Sequence, residues 1–199
     1  MVRILARVLF LVTLCLLSTA ATSAAQGPAA KKMKPALVVI DVQNAFLPYM
    51  CDQDKKTAPE VINGAIQLFR SHGLPVIRVY HSDLRWGPKP DSKEFEFSDA
   101  IAVKAEDPKI IKNYPNAFKK TGLAELLKEK DVNTLFLCGL SSTGCVLATY
   151  RGADDLDYDV FMVKDGIIGP RAEQTAMIQD ICNSVGYEAL QLMLNNLPK

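Results

Sequence analysis

Short apolar runs alternate with stretches of helical periodicity along most of the chain beyond residue 35. Runs rich in β-branched and other apolar residues predict buried strands at 36–41, 75–80, 134–139 and 159–163. Apolar positions at helical spacing predict helices at about 57–72, 144–156 and 171–184. Strands that alternate with helices indicate a three-layer α/β fold, a doubly wound and mostly parallel sheet with helices on both faces.

The segment from Ser82 to Lys120 interrupts this alternation. It is rich in Pro, Gly and aromatic residues, and it is predicted to be a long excursion over one edge of the sheet. Loops of this length in a compact domain are usually functional. In open parallel sheets, ligands bind beyond the carboxyl ends of the strands. Asp41, His81 and the segment 139–145 follow predicted strand ends, so they are the first candidates for a site.

Residues 1–25 are predicted to be a secretory signal peptide. Two arginines precede an apolar run at Val8–Leu17, and the small residues from Ser23 to Ala25 form a cleavage site. A membrane-spanning helix needs about 20 apolar residues, and this run has half that length, which favours a cleaved signal. An uncleaved anchor is the alternative. We expect residues 26–34 to be a flexible lead-in and residues 35–199 to form one domain. The mature protein is then exported, to the periplasm or the medium, without a membrane attachment.

Composition excludes several classes of function. The chain has 199 residues, 23 Lys and Arg against 22 Asp and Glu, and a net charge of +1, so nothing favours a nucleic acid or an anionic membrane as partner. Only two histidines occur, which excludes a multi-histidine metal site, and we expect no metal and no cofactor. Cys51, Cys138, Cys145 and Cys182 lack a short regular spacing, so their pairing into disulfides stays open.

The segment from Gly139 to Cys145, GLSSTGC, matches neither of two common catalytic loops. A phosphate-binding loop would have Lys and Ser or Thr where Cys145 and Val146 stand, and a nucleophile elbow would have Gly where Thr143 stands. What remains is a cysteine in the first turn of a predicted helix, where the helix dipole favours the thiolate. A small buried residue without a catalytic role is the alternative.

Two further residues carry charge into this region. Asp41 closes a buried strand, where an acid costs free energy unless it is paired, although a loop-capping aspartate would also account for it. Lys112, within the sequence IIKNYPNAF, would by itself be interpreted as a surface lysine.

Taken together, these segments resemble the isochorismatase-like cysteine hydrolases, a family that includes nicotinamidases and other amidohydrolases. The resemblance extends over residues 35–197. It depends on LVVIDVQNAF at 37–46, on Lys112 with the Ala-Phe pair at 117–118, and on LCGLSSTGCV at 137–146.

The resemblance implies that Asp41, Lys112 and Cys145 form the catalytic set. It also implies a cis peptide bond between Leu140 and Ser141, and a homo-oligomer. Nicotinamidases of the family hold a metal through an Asp-x-His pair and another His after the second strand. The corresponding segment here, YHSDLRW at 80–86, has one His and no such pair, so a nicotinamidase is disfavoured.

We therefore expect a cysteine-dependent hydrolase that cleaves a C–N bond of a small amide or ureido compound through a thioester. Backbone N–H groups of Ser141 and Cys145 are the expected oxyanion hole, because a turn into a helix leaves donors unpaired. Candidate substrate-binding residues lie in or beside these motifs and in the excursion: Phe46, His81, Trp86 and Tyr114.

Two alternatives stay open. The first is a vinyl-ether hydrolase of the isochorismate type on the same fold. The second is a non-catalytic binding protein in which Asp41 and Cys145 are only structural. The sequence does not identify the small-molecule substrate.

Overall fold

The central element of the fold is a parallel sheet. The computed structural model describes residues 32–83, 85 and 87–197. Within them, six strands lie in the order β3-β2-β1-β4-β5-β6, and every neighbouring pair is parallel. The strands are β1 (Pro35–Ile40), β2 (Val76–His81), β3 (Lys109–Lys112), β4 (Thr134–Leu140), β5 (Asp159–Ile168) and β6 (Ser184–Val185).

Helices cover both faces of the sheet. Apolar side chains of α1 and α5 pack on one face, and those of α2, α3 and α4 pack on the other. The predicted three-layer, doubly wound α/β fold is therefore confirmed. The helices are α1 (Asp52–Ser71), α2 (Leu123–Glu129), α3 (Leu147–Asp154), α4 (Ala172–Ile181) and α5 (Tyr187–Asn195).

Strand β1 shows why its sequence is an unbroken apolar run. Successive side chains of a strand point to opposite faces, so Leu37 and Val39 pack towards α1 while Val38 and Ile40 pack towards the other helix layer. All four are 0% exposed. Burying one such side chain contributes roughly 1.5–3 kcal/mol, which fixes β1 at the centre of the sheet.

The segment 82–120 is not one continuous excursion. Residues 109–112 form the edge strand β3, and the loop before it, residues 82–108, is called the edge loop below. Ile110 and Lys112 are buried whereas Ile111 is 44% exposed. The strand is hard to predict because it is four residues long and a lysine fills one of its buried positions.

Several helix boundaries also differ from the predictions. Helix α1 begins at Asp52, so Pro59 lies inside the helix and not in its first turn, where a proline is tolerated best. Helix α3 begins at Leu147 rather than at Gly144, and α4 ends at Ile181 because the chain turns into β6. Helices α2 and α5 add to the predicted set.

The edge loop is anchored beside the carboxyl ends of β1 and β2. Phe97 forms an antiparallel bridge with Gln43, in the loop that follows β1. The ring of Tyr80, in β2, stacks on Phe95 at 5.0 Å between ring centroids and contacts the Phe97 ring at 4.6 Å. Aromatic packing thus holds this loop against the end of the sheet.

The predicted signal peptide, residues 1–25, and most of the lead-in lie outside the described residues, as does Trp86. Within the part of the chain that the structure describes, no helix is both long and apolar enough to cross a membrane.

Candidate active site

Four polar side chains meet at the carboxyl edge of the sheet. The strand order reverses between β1 and β4, and crevices at such switch points are the usual ligand sites of doubly wound folds. Asp41 follows β1, His81 ends β2 and Lys112 ends β3. Cys145 follows β4, within a π-helical turn at Ser142–Val146 that is called the cysteine turn below.

Asp41 and Lys112 form a buried ion pair. Lys112 Nζ donates to Asp41 Oδ2 over 2.6 Å, and the two side chains are 0% and 1% exposed, respectively. Removing two charges from water is costly, so such a pair persists only with good geometry and further hydrogen bonds. Lys112 Nζ has a second partner, His81 Nδ1, at 3.1 Å.

The sheet register brings Lys112 and His81 together. The two residues are paired across β2 and β3, so their side chains leave the sheet on the same face. Asp41 reaches them from the neighbouring strand by a local change of backbone direction. Its φ is 52°, a left-handed conformation that aspartate tolerates better than most residues, and its N–H donates to the carbonyl of Val79.

The cysteine turn follows β4 directly and packs against α4. The Leu140–Ser141 peptide bond is cis, as the resemblance implies. The N–H groups of Gly144 and Val146 both donate to the Ser141 carbonyl, at 3.0 and 3.2 Å. These two bonds close the turn on Ser141, just beyond the carboxyl end of β4.

Cys145 faces the ion pair. A carboxylate oxygen of Asp41, a ring nitrogen of His81 and Cys145 Sγ all lie within 4.8 Å of one another. Cys145 is half-buried. Among the described residues, Asp41 Oδ1 has no hydrogen-bond partner, although it is buried. Because Oδ2 is engaged by Lys112, Oδ1 is the oxygen open to accept a proton from the thiol.

Electrostatics keep the proton on sulfur before substrate binds. Burial and the Asp41 charge raise the pKa of Cys145 to about 12. Cys145 does not lie in the first turn of α3, which begins only at Leu147, and burial is the largest cause of the raised pKa of its thiol. Burial also raises the pKa of Asp41, and the Lys112 charge opposes that rise.

The donor set of oxygen, nitrogen and sulfur at Asp41, His81 and Cys145 matches ligand types that Zn²⁺ accepts. However, the Lys112 ammonium already occupies Asp41 Oδ2 and His81 Nδ1. A divalent cation bound there would face that positive charge at close range. The site is therefore better suited to an ion pair than to a resident metal ion.

A second, buried polar network holds the cysteine turn against α4, and sequence reasoning missed it. Buried Ser142 Oγ lies 3.1 Å from Thr175 Oγ1, which donates to Asp54 Oδ2 over 2.7 Å. Asp54 also accepts the N–H of Gly169. This chain of bonds links the turn to α1, α4 and the end of β5.

Gln43 is a further residue that sequence reasoning missed, although it lies in the motif that follows Asp41. Its side chain is 0% exposed and bonds to the backbone of both His81 and Phe95. The available signal was a polar residue two positions after a buried strand. That signal does not distinguish a buried clamp from a solvated loop residue.

The candidate substrate-binding residues differ in position. The rings of Phe46 and His81 form a T-shaped contact at 5.9 Å between centroids, and His81 in turn contacts Lys112 of the ion pair. Tyr114 is half-buried. The described contacts of its ring are with the ammonium groups of Lys119 and Lys120, at 4.4 and 5.6 Å, and not with the candidate catalytic residues. Trp86 lies outside the described residues.

All four cysteines of the described region are free thiols. Cys138 is buried in β4, and burial alone raises its pKa far above the ordinary range. Cys182 is buried at the end of α4, and Cys51 precedes α1. Cys145 alone among them contacts a carboxyl and an ammonium group that could serve acid–base chemistry.

Comparisons with known proteins point in the same direction. The family model described as the Isochorismatase domain matches residues 35–186. An uncharacterized isochorismatase family protein of Bacillus subtilis, YddQ, is 30% identical over 153 residues, which are 74% of this chain and 83% of that protein.

Some of the relatives carry more specific names, and two of these name a small compound. Maleamate amidohydrolase of Pseudomonas putida is 27% identical over 157 residues, 66% of this chain and 71% of that protein. The solved structure of N-carbamoylsarcosine amidase from Thermoplasma acidophilum is similar with a TM-score of 0.67 and 26% identity, and the match covers 77% of this chain and 95% of that one.

Proposed function

Because the chain belongs to the isochorismatase family of hydrolases, we propose that it is a cysteine-dependent amidohydrolase that cleaves a C–N bond of a small amide or ureido compound. The observation that carries this proposal is that half-buried Cys145 lies beside the buried ion pair of Asp41 and Lys112. The arrangement joins a nucleophile, a carboxylate with one open oxygen and an ammonium that balances the charge. An adjacent base is what a weak protein nucleophile requires.

In the first half of the reaction, Asp41 accepts the thiol proton as Cys145 Sγ attacks the substrate carbonyl. The negative charge moves to the carbonyl oxygen, and the N–H groups of Ser141 and Cys145 are proposed to bind it. Protonated Asp41 then gives the proton to the leaving nitrogen, the C–N bond breaks, and a thioester remains on Cys145.

In the second half, water replaces the amine. Asp41, again a carboxylate, takes a proton from the water as the water oxygen attacks the thioester carbonyl. The C–S bond breaks, the acid leaves, and the proton returns to sulfur. Lys112 stays positive throughout and stabilises the carboxylate form of Asp41, because a neighbouring cation lowers the pKa of an acid.

The named relatives support the class of substrate. One is called an amidohydrolase of maleamate and the other an amidase of N-carbamoylsarcosine. Both names describe small compounds in which a carbonyl carries nitrogen. We therefore place the substrate among small primary amides and carbamoyl compounds.

Ammonia release from a panel of such compounds tests the proposal. We expect turnover with at least one of them, and we expect the Cys145→Ala variant to lose that turnover while circular dichroism and melting temperature stay close to wild type. Cys182→Ala is the matched control. It removes a sulfur near the amino edge of the sheet, opposite to Asp41, and should keep full activity.

Mass spectrometry of enzyme quenched during turnover of a slow substrate identifies the intermediate. An acyl adduct on Cys145 supports the mechanism, whereas an adduct on Ser141, or wild-type turnover by Cys145→Ala, contradicts it. Pyruvate release from isochorismate without any amide hydrolysis would favour the vinyl-ether reaction. No turnover of any compound in the panel, together with no acyl adduct on Cys145, would favour the binding protein.

A further inference from the structure

His81 contacts the ion pair through the ammonium group of Lys112. Its Nδ1 lies 3.1 Å from Lys112 Nζ, while Lys112 Nζ lies 2.6 Å from Asp41 Oδ2. An ammonium group has three donors and no acceptor, so Nδ1 must present its lone pair to Lys112, and the ring proton lies on Nε2. The ammonium is thus shared between a carboxylate and a neutral imidazole.

The surroundings keep the imidazole neutral. Burial and the Lys112 charge lower the pKa of His81 from its ordinary value of 6.5 to about 4, against a smaller opposite effect of Asp83. The other titratable groups that face it are Asp41 and Cys145. A protonated ring would direct its Nδ1–H at the Lys112 ammonium, which has no lone pair to accept it. The hydrogen bond from Lys112 to Nδ1 therefore requires the neutral imidazole.

The position of His81 is fixed by a clamp that does not involve its ring. The Gln43 side chain accepts the His81 N–H at 2.7 Å and donates to the His81 carbonyl at 3.1 Å and the Phe95 carbonyl at 2.7 Å. The Phe46 ring packs against the imidazole at 5.9 Å. A residue meant only to line a pocket needs no such backbone clamp.

We propose that His81 is a positioning residue, whose neutral imidazole accepts a hydrogen bond from Lys112 and so holds the ammonium against Asp41. The proposal rests on the proposed function and deepens it, because it assigns to the same site the group that orients its cation. A hydrogen bond to a charged donor stabilises more than one between neutral groups, and losing it leaves a buried ammonium with one partner fewer.

Two substitutions of similar polarity separate this role from others. In His81→Asn the amide oxygen can lie where Nδ1 lies, whereas in His81→Gln it lies one bond farther, near the place of Nε2. We expect kcat to fall about tenfold or more in His81→Gln and in His81→Leu, with KM little changed, and to recover largely in His81→Asn. If His81→Leu does not fold, the comparison of kcat between His81→Asn and His81→Gln still tests whether an acceptor at the position of Nδ1 is required.

The rate at which iodoacetamide modifies Cys145 supplies a readout that needs no substrate. The Lys112 charge lowers the pKa of Cys145, so a displaced ammonium should slow modification at a fixed pH, by about threefold or more in His81→Gln and less in His81→Asn. His72→Asn is the matched control. That histidine bonds to Leu68 and Asn195 at the end of α1, near the opposite edge of the sheet, and both rates should be unchanged.

Each outcome is informative. Equal rates in wild type, Asn and Gln variants would overturn the proposal, and so would equal losses in Asn and Gln, since these would require the imidazole itself. A raised KM with an unchanged kcat would make His81 a substrate contact instead. If no amide is turned over but modification of Cys145 still follows the Asn–Gln order, the amidohydrolase proposal fails while the role of His81 stands.

Discussion

At the scale of single residues, the site consists of charges that stabilise one another away from water. Asp41 and Lys112 are both buried, and each is the main compensation for the other. A buried ion pair is costly to break from one side, because the remaining charge keeps its desolvation penalty without its partner. Stability and catalysis therefore depend on the same two side chains, but in separable ways.

Substitution of one partner should affect both properties. We expect Asp41→Asn to lower kcat by at least about 10²-fold, since it removes the general base, and Lys112→Met to lower the free energy of unfolding by about 3 kcal/mol at pH 7. Kinetics and urea denaturation at one pH measure the two effects. The double variant Asp41→Asn, Lys112→Met should regain most of the stability and none of the activity. Equal instability of single and double variants would contradict this account.

The His81 ring predicts a pH dependence of stability. Its pKa is depressed in the folded protein, from 6.5 to about 4, so the unfolded chain binds a proton first as pH falls. The contribution of the neutral His81 ring to the free energy of unfolding is therefore fully present above pH 6.5 and is lost as the pH falls from 6.5 to 4. Urea denaturation of wild type and His81→Asn at pH 7 and pH 5 should show a larger loss in the wild type. A larger loss in the variant would be the opposite of the expected sign.

At the scale of elements, the site depends on how closely β4 approaches β1. Gly139 pairs with Ile40 in the sheet register and has a φ of +108°, which favours glycine. A Cβ atom at this position would lie 2.1 Å from the Ile40 carbonyl oxygen, which is backbone and cannot rotate away. The glycine thus sets the direction in which the chain enters the cysteine turn.

Gly139→Ala should therefore destabilise the protein by about 3 kcal/mol or more, through backbone strain and the clash with β1. Gly122→Ala, at the start of α2, is the control, because no heavy atom lies within 4 Å of its added Cβ. Its loss should stay below about 1 kcal/mol. Thermal and urea unfolding of both variants measure the difference. Similar losses at the two positions would show that the close approach of the strands is not what limits Gly139.

At the scale of the whole molecule, the parallel sheet explains how distant residues form one site. Asp41, His81, Lys112 and Cys145 come from four segments, but the carboxyl ends of parallel strands lie along one edge. The helix layers bury the sheet on both faces and leave that edge for chemistry. Within the described part of the chain, the loop after β1, the edge loop and the cysteine turn are among the segments that border it.

Export is a proposal for the whole chain that rests on the sequence of residues 1–25. We expect protein from its native source to begin near Gln26 and to lie outside the cytoplasm. Intact-mass analysis of soluble fractions measures this. A full-length mass in the cytoplasmic fraction would contradict the proposal, and a full-length mass in the membrane fraction would favour the uncleaved anchor.

Periodicity and strand composition predicted the fold class because burial imposes them. Strand β1 must be apolar at every position, and α1 must be apolar on one side, so these patterns are visible without a structure. The edge strand β3 was missed for the same reason, since Lys112 occupies a position where the pattern requires an apolar residue. The site residues Asp41, Lys112 and Cys145 were identified from motifs that resemble a family, not from burial.

The sequence by itself thus determined the α/β class, the order of four of the strands and three of the helices, the family and the three candidate catalytic residues. Only the tertiary structure decided that Lys112 is buried between Asp41 and His81, that Gln43 clamps His81, and that the Cys145 thiol keeps its proton. Hydrophobic patterning is a local property of the chain, so the pattern is visible in the sequence itself. Hydrogen bonds and pKa shifts depend on the distances and the burial that arise when segments far apart in sequence pack together, and so they become defined only in the fold.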